Sequence, residues 1–173
     1  LMNYGTIKFC DIANGSGIRT VLFVSGCTHH CKGCFQPETW DFSYGQPYTE
    51  VTEQQILDSL SPSYIHGLTL LGGEPMEPDN QRALLPLLRR LKAEYPRKTV
   101  WCYSGYTYEE LTGVSRARCE VTDEMLSLIA VLVDGEFVLE KKNISLRFRG
   151  SENQRIIDLA KTREQGSVVL WEG

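Results

Sequence analysis

The chain has no apolar run long enough to cross a bilayer. Its longest, residues 125–133, is interrupted by Ser127 and reads as core, because a membrane helix needs roughly 18 to 20 such residues. An excess of basic charge is also missing: 18 Lys and Arg stand against 22 Asp and Glu, a formal net charge of -4. Nucleic acid and anionic membranes reward a basic surface, so neither is expected as a partner. No repeat, low-complexity block or Pro/Ser-rich linker occurs, which excludes solenoids and linker-joined modules. Residues 1–5 show no basic segment, apolar stretch or cleavage site of a secretory leader, and a cytoplasmic location is expected.

What is present suits one globular unit. A length of 173 residues matches about one domain, and 42% hydrophobic with 23% charged residues is ordinary globular composition. A single domain over residues 1–173 is expected. In a reducing compartment the six cysteines are not expected to form structural disulfides, and any cluster of them points to metal or redox chemistry.

Residues 18–25 are β-branched and aromatic between glycine-marked turns and read as a buried strand. Thr52 to Gln55 has the form of a capping box opening a helix to about Leu60, with Ile56, Leu57 and Leu60 on one face. A second strand, residues 67–71, runs into Gly72-Gly73-Glu74-Pro75. Leu84, Leu85, Leu87, Leu88 and Leu91 form a helical stripe through about Tyr95, with Pro86 expected to kink it or open its main part. Residues 99–103 read as a strand, 107–111 as a helical turn, 122–128 as a helix, 129–133 as a strand, and 154–158 and 168–171 as short strands around a polar segment. Alternating strands and helices predict βαβ units and a parallel sheet with functional loops at the strands' carboxyl ends. The cysteine loop, Gly72-Gly73-Glu74 and Asp134 all fall at such ends.

The most informative stretch is Cys27-Thr-His-His-Cys31-Lys-Gly-Cys34. Three thiolates at this spacing can hold one cubane on a single loop, whereas clusters that only carry electrons usually take four cysteines. An iron without a protein thiolate has open sites that an amino and a carboxylate group can chelate. Other readings stay open: a structural zinc with His29 or His30 as fourth ligand, a redox pair from Cys31 and Cys34, or three cysteines packed as small hydrophobes. Gly-Gly-Glu-Pro by itself reads as a turn after a strand.

Together, Cys-X3-Cys-X2-Cys after one strand and Gly-Gly-Glu-Pro after the next resemble the radical S-adenosylmethionine superfamily. Asn14-Gly15-Ser16-Gly17-Ile18-Arg19 and the approach from Phe23 to Cys27 are similar to its glycyl-radical-enzyme activases. The short length, Val133-Asp134-Gly135-Glu136-Phe137 and residues 149–155 most resemble those acting on an anaerobic (class III) ribonucleotide reductase. The resemblance covers nearly the whole chain and implies an α/β fold, an incomplete βα barrel with a mostly parallel sheet and the site at its carboxyl edge. It implies that Cys27, Cys31 and Cys34 ligate a [4Fe-4S] cluster whose fourth iron is chelated by S-adenosylmethionine. One electron then cleaves that cofactor to methionine and a 5'-deoxyadenosyl radical, which takes a hydrogen atom from a glycine Cα of the reductase. The cluster and cofactor carry the chemistry, and no further catalytic residue is assigned.

The resemblance also gives Gly72, Gly73 and Glu74 to the methionine ammonium; backbone groups of Gly33 and Phe35 are expected to share the adenine contact, with Cys34 between them also counted as cofactor-binding. It implies a flavodoxin-like low-potential electron donor. Departures from the activase pattern are Gly33 where an aromatic residue is common, Ser16 within Asn14-Gly15-Ser16-Gly17, and Gln36 in place of Asn. The last two weaken a pyruvate formate-lyase activase reading more than the reductase one, and Gly33 bears on the adenine contacts. Asp134 is expected to face the site and contact ribose or a monovalent cation, against the plain reading of Asp-Gly as a turn. His29 and His30 read as solvent-facing loop residues, and Cys10, Cys102 and Cys119 as buried or idle thiols. Lys141, Lys142, Arg147, Arg149 and Arg155 form either a solvated face or a docking surface for a larger protein.

Overall fold

The computed structural model describes all residues, Leu1 to Gly173. Seven strands form one open sheet in the order β3-β1-β2-β4-β5-β6-β7. The four central strands, β2 (Arg19–Val24), β4 (Gly67–Gly72), β5 (Thr99–Ser104) and β6 (Val131–Asp134), are mutually parallel. Three pairings at the flanks are antiparallel: β1 (Asn3–Asp11) with β2, β1 with β3 (Gln46–Pro47), and β6 with β7 (Arg155–Asp158). The fold is therefore α/β with a mixed sheet, parallel at its centre. Every residue of β2 is buried, as expected of a strand covered on both faces.

Alternation along the strands divides the core. Leu22, Leu68, Leu70, Val100, Cys102 and Leu132 join the larger cluster with residues of α1 (Glu50–Ser59), α2 (Pro78–Glu94) and α4 (Thr122–Leu128). On the opposite face Trp101, Val131 and Val133 pack with Tyr103, Phe148, Ile156 and Trp171. Arg19, 1% exposed, seals the amino-terminal end of that face. Its guanidinium donates to the Ser16, Leu68 and Thr99 carbonyls and to the Thr69 and Thr99 hydroxyls. Burial lowers its pKa to about 10, yet these acceptors suit the charged form. The other end of the face is left open.

Several boundaries differ from the sequence reading. α1 begins earlier, because Thr49 rather than Thr52 is the N-cap: its hydroxyl accepts from the Thr52 amide and the Thr52 hydroxyl accepts from the Thr49 amide. Pro78 takes the first turn of α2, and the helix continues through Pro86. The expected leucine stripe is buried. Ile129 ends α4, so β6 starts at Val131. Residues 168–171 make one isolated bridge to β7, Ile157 with Leu170, rather than a strand. α3 (Tyr108–Thr112) and α5 (Leu159–Gln165) are short, and α5 ends at Gly166 in the left-handed conformation that glycine favours. β1 is absent from the sequence reading: β3 covers only its first two residues and Tyr4 alone is buried, which leaves a weak burial pattern. No helix is long and apolar enough to cross a membrane.

Candidate metal and cofactor site

The carboxyl ends of the parallel strands border a cavity of about 560 Å3 that contains Cys27, Cys31, Cys34, Gly72, Gly73 and Glu74 in its lining. The cysteine loop leaves β2 through Gly26 and is pinned by backbone bonds, Gly26 N to Thr39 O at 2.7 Å and Cys27 N to Trp40 O at 3.2 Å. Cys34 N closes a turn onto Cys31 O at 3.1 Å. Gly33 has a φ of +78°, a backbone conformation that strains any residue with a Cβ, while the nearest atom to such a Cβ is the movable end of the Leu139 side chain at 2.8 Å. Gly72 has a φ of +115° and no room for a Cβ beside the Val24 carbonyl at 2.5 Å. The two turns thus lie flat against each other, and Glu74 N donates to Gly26 O at 2.7 Å.

All six cysteines are free thiols. Burial pushes Cys27 up to about 12, and burial, followed by the nearby Glu136 charge, also raises Cys31. Such thiols stay protonated until a metal replaces the proton. No three His, Cys, Asp or Glu side chains converge as a single metal ion requires. The three thiols border one cavity, and three thiolates on one loop can hold an iron-sulfur cluster.

One of the two loop histidines corrects the sequence reading, and the other is exposed as expected. His29 is not solvent-facing: its side chain is 5% exposed, with Nε2 2.7 Å from Glu74 Oε1 and Nδ1 2.7 Å from Glu136 Oε2. Burial alone would lower its pKa, but the Glu74 and Glu136 carboxylates outweigh burial and raise it. His30 is exposed and stacks on Trp40 with centroids 4.5 Å apart. Both nitrogens of His29 are engaged by carboxylates, so His29 is not free to be the fourth ligand of a Cys3His zinc site.

Glu74 is 1% exposed. Besides His29, Oε1 accepts from Gly105 N at 2.7 Å, while Oε2 accepts from Met76 N and Ser104 Oγ, each at 2.8 Å. A carboxylate has about four acceptor positions, and all are taken. Its side chain is an internal anchor bordering the cavity. Glu77, missed in the sequence, is a second anchor: it accepts from Thr28 N at 2.6 Å and Tyr106 Oη at 2.7 Å. Only its position one turn beyond Glu74 hinted at this.

Asp134 also departs from expectation. It is 1% exposed, pairs with Arg155 and accepts from Tyr108 N at 2.8 Å, so it is not presented to the cavity, where its neighbours Val133 and Gly135 are. Arg155, which also pairs with Glu109, leaves the basic set for a structural role. Lys142 and Arg149 do border the cavity. Lys142 lies 5.3 Å from the Phe35 ring, and Phe35, 65% exposed, contacts Phe137. Arg149 donates to the Glu152 and Gln154 carbonyls. Cys102 is buried as expected, Cys10 is exposed, and Cys119 is half-buried beside Gln81.

A family model described as a 4Fe-4S single cluster domain matches residues 13–157. The chain is also similar to proteins named anaerobic ribonucleoside-triphosphate reductase-activating protein. That of Haemophilus influenzae is 46% identical over 157 residues, covering 90% of this chain and 97% of the relative. Those of Escherichia coli strain K12 and Enterobacteria phage T4 are 44% and 40% identical, over 88% and 90% of this chain and 96% and 93% of the relatives. The chain belongs to the 4Fe-4S single cluster domain family and, within it, to the family of these activating proteins. An iron-sulfur cluster is accordingly the group that the three-thiol cavity fits.

Proposed function

We propose that this protein is a radical S-adenosylmethionine activase that installs a glycyl radical on an anaerobic ribonucleotide reductase. The observation that carries the reading is a donor set that stops at three: Cys27, Cys31 and Cys34 border one cavity, while both nitrogens of His29 are held by carboxylates. The relatives' name supports the reductase as target. A bound [4Fe-4S] cluster would supply one electron for reductive cleavage of the sulfonium cofactor.

This chain's residues do the holding. Cys27, Cys31 and Cys34 would ligate three irons; Gly72 and Gly73 give a ligand close access to the backbone, and the negative charge of Glu74 sits just behind them. Backbone groups of Gly33 and Phe35 are the adenine contacts in this reading, with Cys34 between them. The open sheet, with its uncovered end at the carboxyl edge, is read as the partial barrel of the superfamily. A low-potential donor of flavodoxin type supplies the electron, and the setting is cytoplasmic.

Anaerobic incubation of the iron-loaded protein with reductant, S-adenosylmethionine and the reductase tests this by electron paramagnetic resonance. A glycyl radical doublet on the reductase is expected. Cofactor cleavage without the doublet would move the activity to another target such as pyruvate formate-lyase, and absence of cleavage would overturn the mechanism.

A further inference from the structure

The carboxyl ends of β4, β5 and β6 meet at one side chain of the cysteine loop, which itself follows β2. His29 lies midway between Cys27 and Cys31, and its ring spans Glu74, beyond β4, and Glu136, beyond β6, at 2.7 Å on each side. The third strand supplies the seat: the ring packs on Tyr106 with centroids 4.4 Å apart, and a Cβ on Gly105 would fall 2.6 Å from Nε2. Glycine at 105 is therefore what lets the imidazole reach Glu74.

We propose that His29 is a positioning residue, the pin of a carboxylate–imidazole–carboxylate bridge that fixes the cysteine loop against the Gly72–Glu74 turn and thereby sets the distance between cluster and cofactor ammonium. The inference rests on the proposed cofactor chemistry, since only then does that distance matter to function. Without the ring, Oε1 of Glu74 loses one of its two donors, Glu136 is released, and the loop keeps its backbone bonds to Thr39 and Trp40 but not its tie to the end of β6. Thiols are untouched. Groups that orient a metal site from behind its ligands typically change affinity or activity by about tenfold to a hundredfold when removed.

The test uses the full chain, reconstituted anaerobically with iron and sulfide, as wild type, His29→Ala and Gly105→Ala. Iron per chain is measured first, and S-adenosylmethionine is then titrated against the spectrum of the reduced cluster. Both variants are expected to keep their iron and to bind the cofactor about tenfold to a hundredfold more weakly, and added imidazole is expected to restore His29→Ala toward wild type. Wild-type affinity in His29→Ala would overturn the proposal.

A second measurement, hydrogen exchange of residues 27–36 in the chain before iron is added, covers a variant that fails to load. Faster exchange in both variants supports the pin, and unchanged exchange overturns it. If the wild-type cluster ignores S-adenosylmethionine, the proposed function fails, whereas the exchange comparison still decides whether His29 holds the loop.

Discussion

The turn that follows β4 and the segment between β6 and β7 both border the cavity, and they are bonded in different ways. In the turn, Glu74, Met76, Glu77 and Asn80 are almost wholly buried, and beside bonds within the turn several run outward to the cysteine loop, to Ser25, to Ser104 and to Tyr106. In residues 135–154 many polar bonds stay inside the segment: Asn143 to Ser145, Arg149 to the Glu152 and Gln154 carbonyls, and Gln154 to the amides of Gly150 and Ser151. Its tip carries Ile144, 93% exposed. A wall tied to several neighbours holds one geometry, whereas a self-bonded segment with little buried apolar surface opens at lower free-energy cost. The first suits a small cofactor that must be fixed, and the second suits access by a protein substrate.

The largest effect should come from the loop held between these walls. Cys27→Ala, Cys31→Ala and Cys34→Ala are each expected to abolish 5'-deoxyadenosine formation; near-normal product from any one removes that residue from the ligand set. Next, Glu77→Ala removes the acceptor of the part-buried Thr28 amide and of the buried Tyr106 hydroxyl. It should cost on the order of 1–3 kcal/mol in denaturant unfolding, and a wild-type midpoint would show that the fixed wall is not what holds the loop. On the other wall, Ile144→Ser should change stability by no more than about 0.5 kcal/mol. A larger loss would erase the contrast between the two.

The smallest effect is a pH dependence. A hydrogen bond from Arg155 lowers the Glu109 pKa, so the folded carboxyl titrates below its unfolded value. Its stabilisation is present above the unfolded pKa, near 4.5, and fades as pH falls through the folded one. Glu109 is 61% exposed, and solvent screening keeps the effect small. Glu109→Gln should flatten the acid limb of stability against pH slightly, and an identical limb would remove the pair from the account.

Much of this arrangement was readable in the sequence because it is local. The cysteine spacing, the Gly-Gly-Glu turn and the β-branched strand before the cysteines each lie within a few residues, and the parallel centre of the sheet follows from alternating strands and helices. What escaped depends on long-range pairing. His29 looked like a polar loop residue because its two carboxylates stand 45 and 107 positions away. Asp134 looked like a ligand because Arg155, which neutralises it, arrives on the antiparallel strand β7. β1 lies at the sheet's exposed flank, where burial imposes little pattern. Thr52 resembled a cap through its own spacing, but Thr49 was already placed to bond it.

The central claim, a cluster held by three thiolates with its last iron left to a small molecule, is tested most directly on the reduced, iron-loaded protein. Electron–nuclear double resonance with S-adenosylmethionine labelled at the amino nitrogen and carboxylate should show hyperfine coupling from those labels. Coupling from a protein side-chain nitrogen with none from the labels would contradict it.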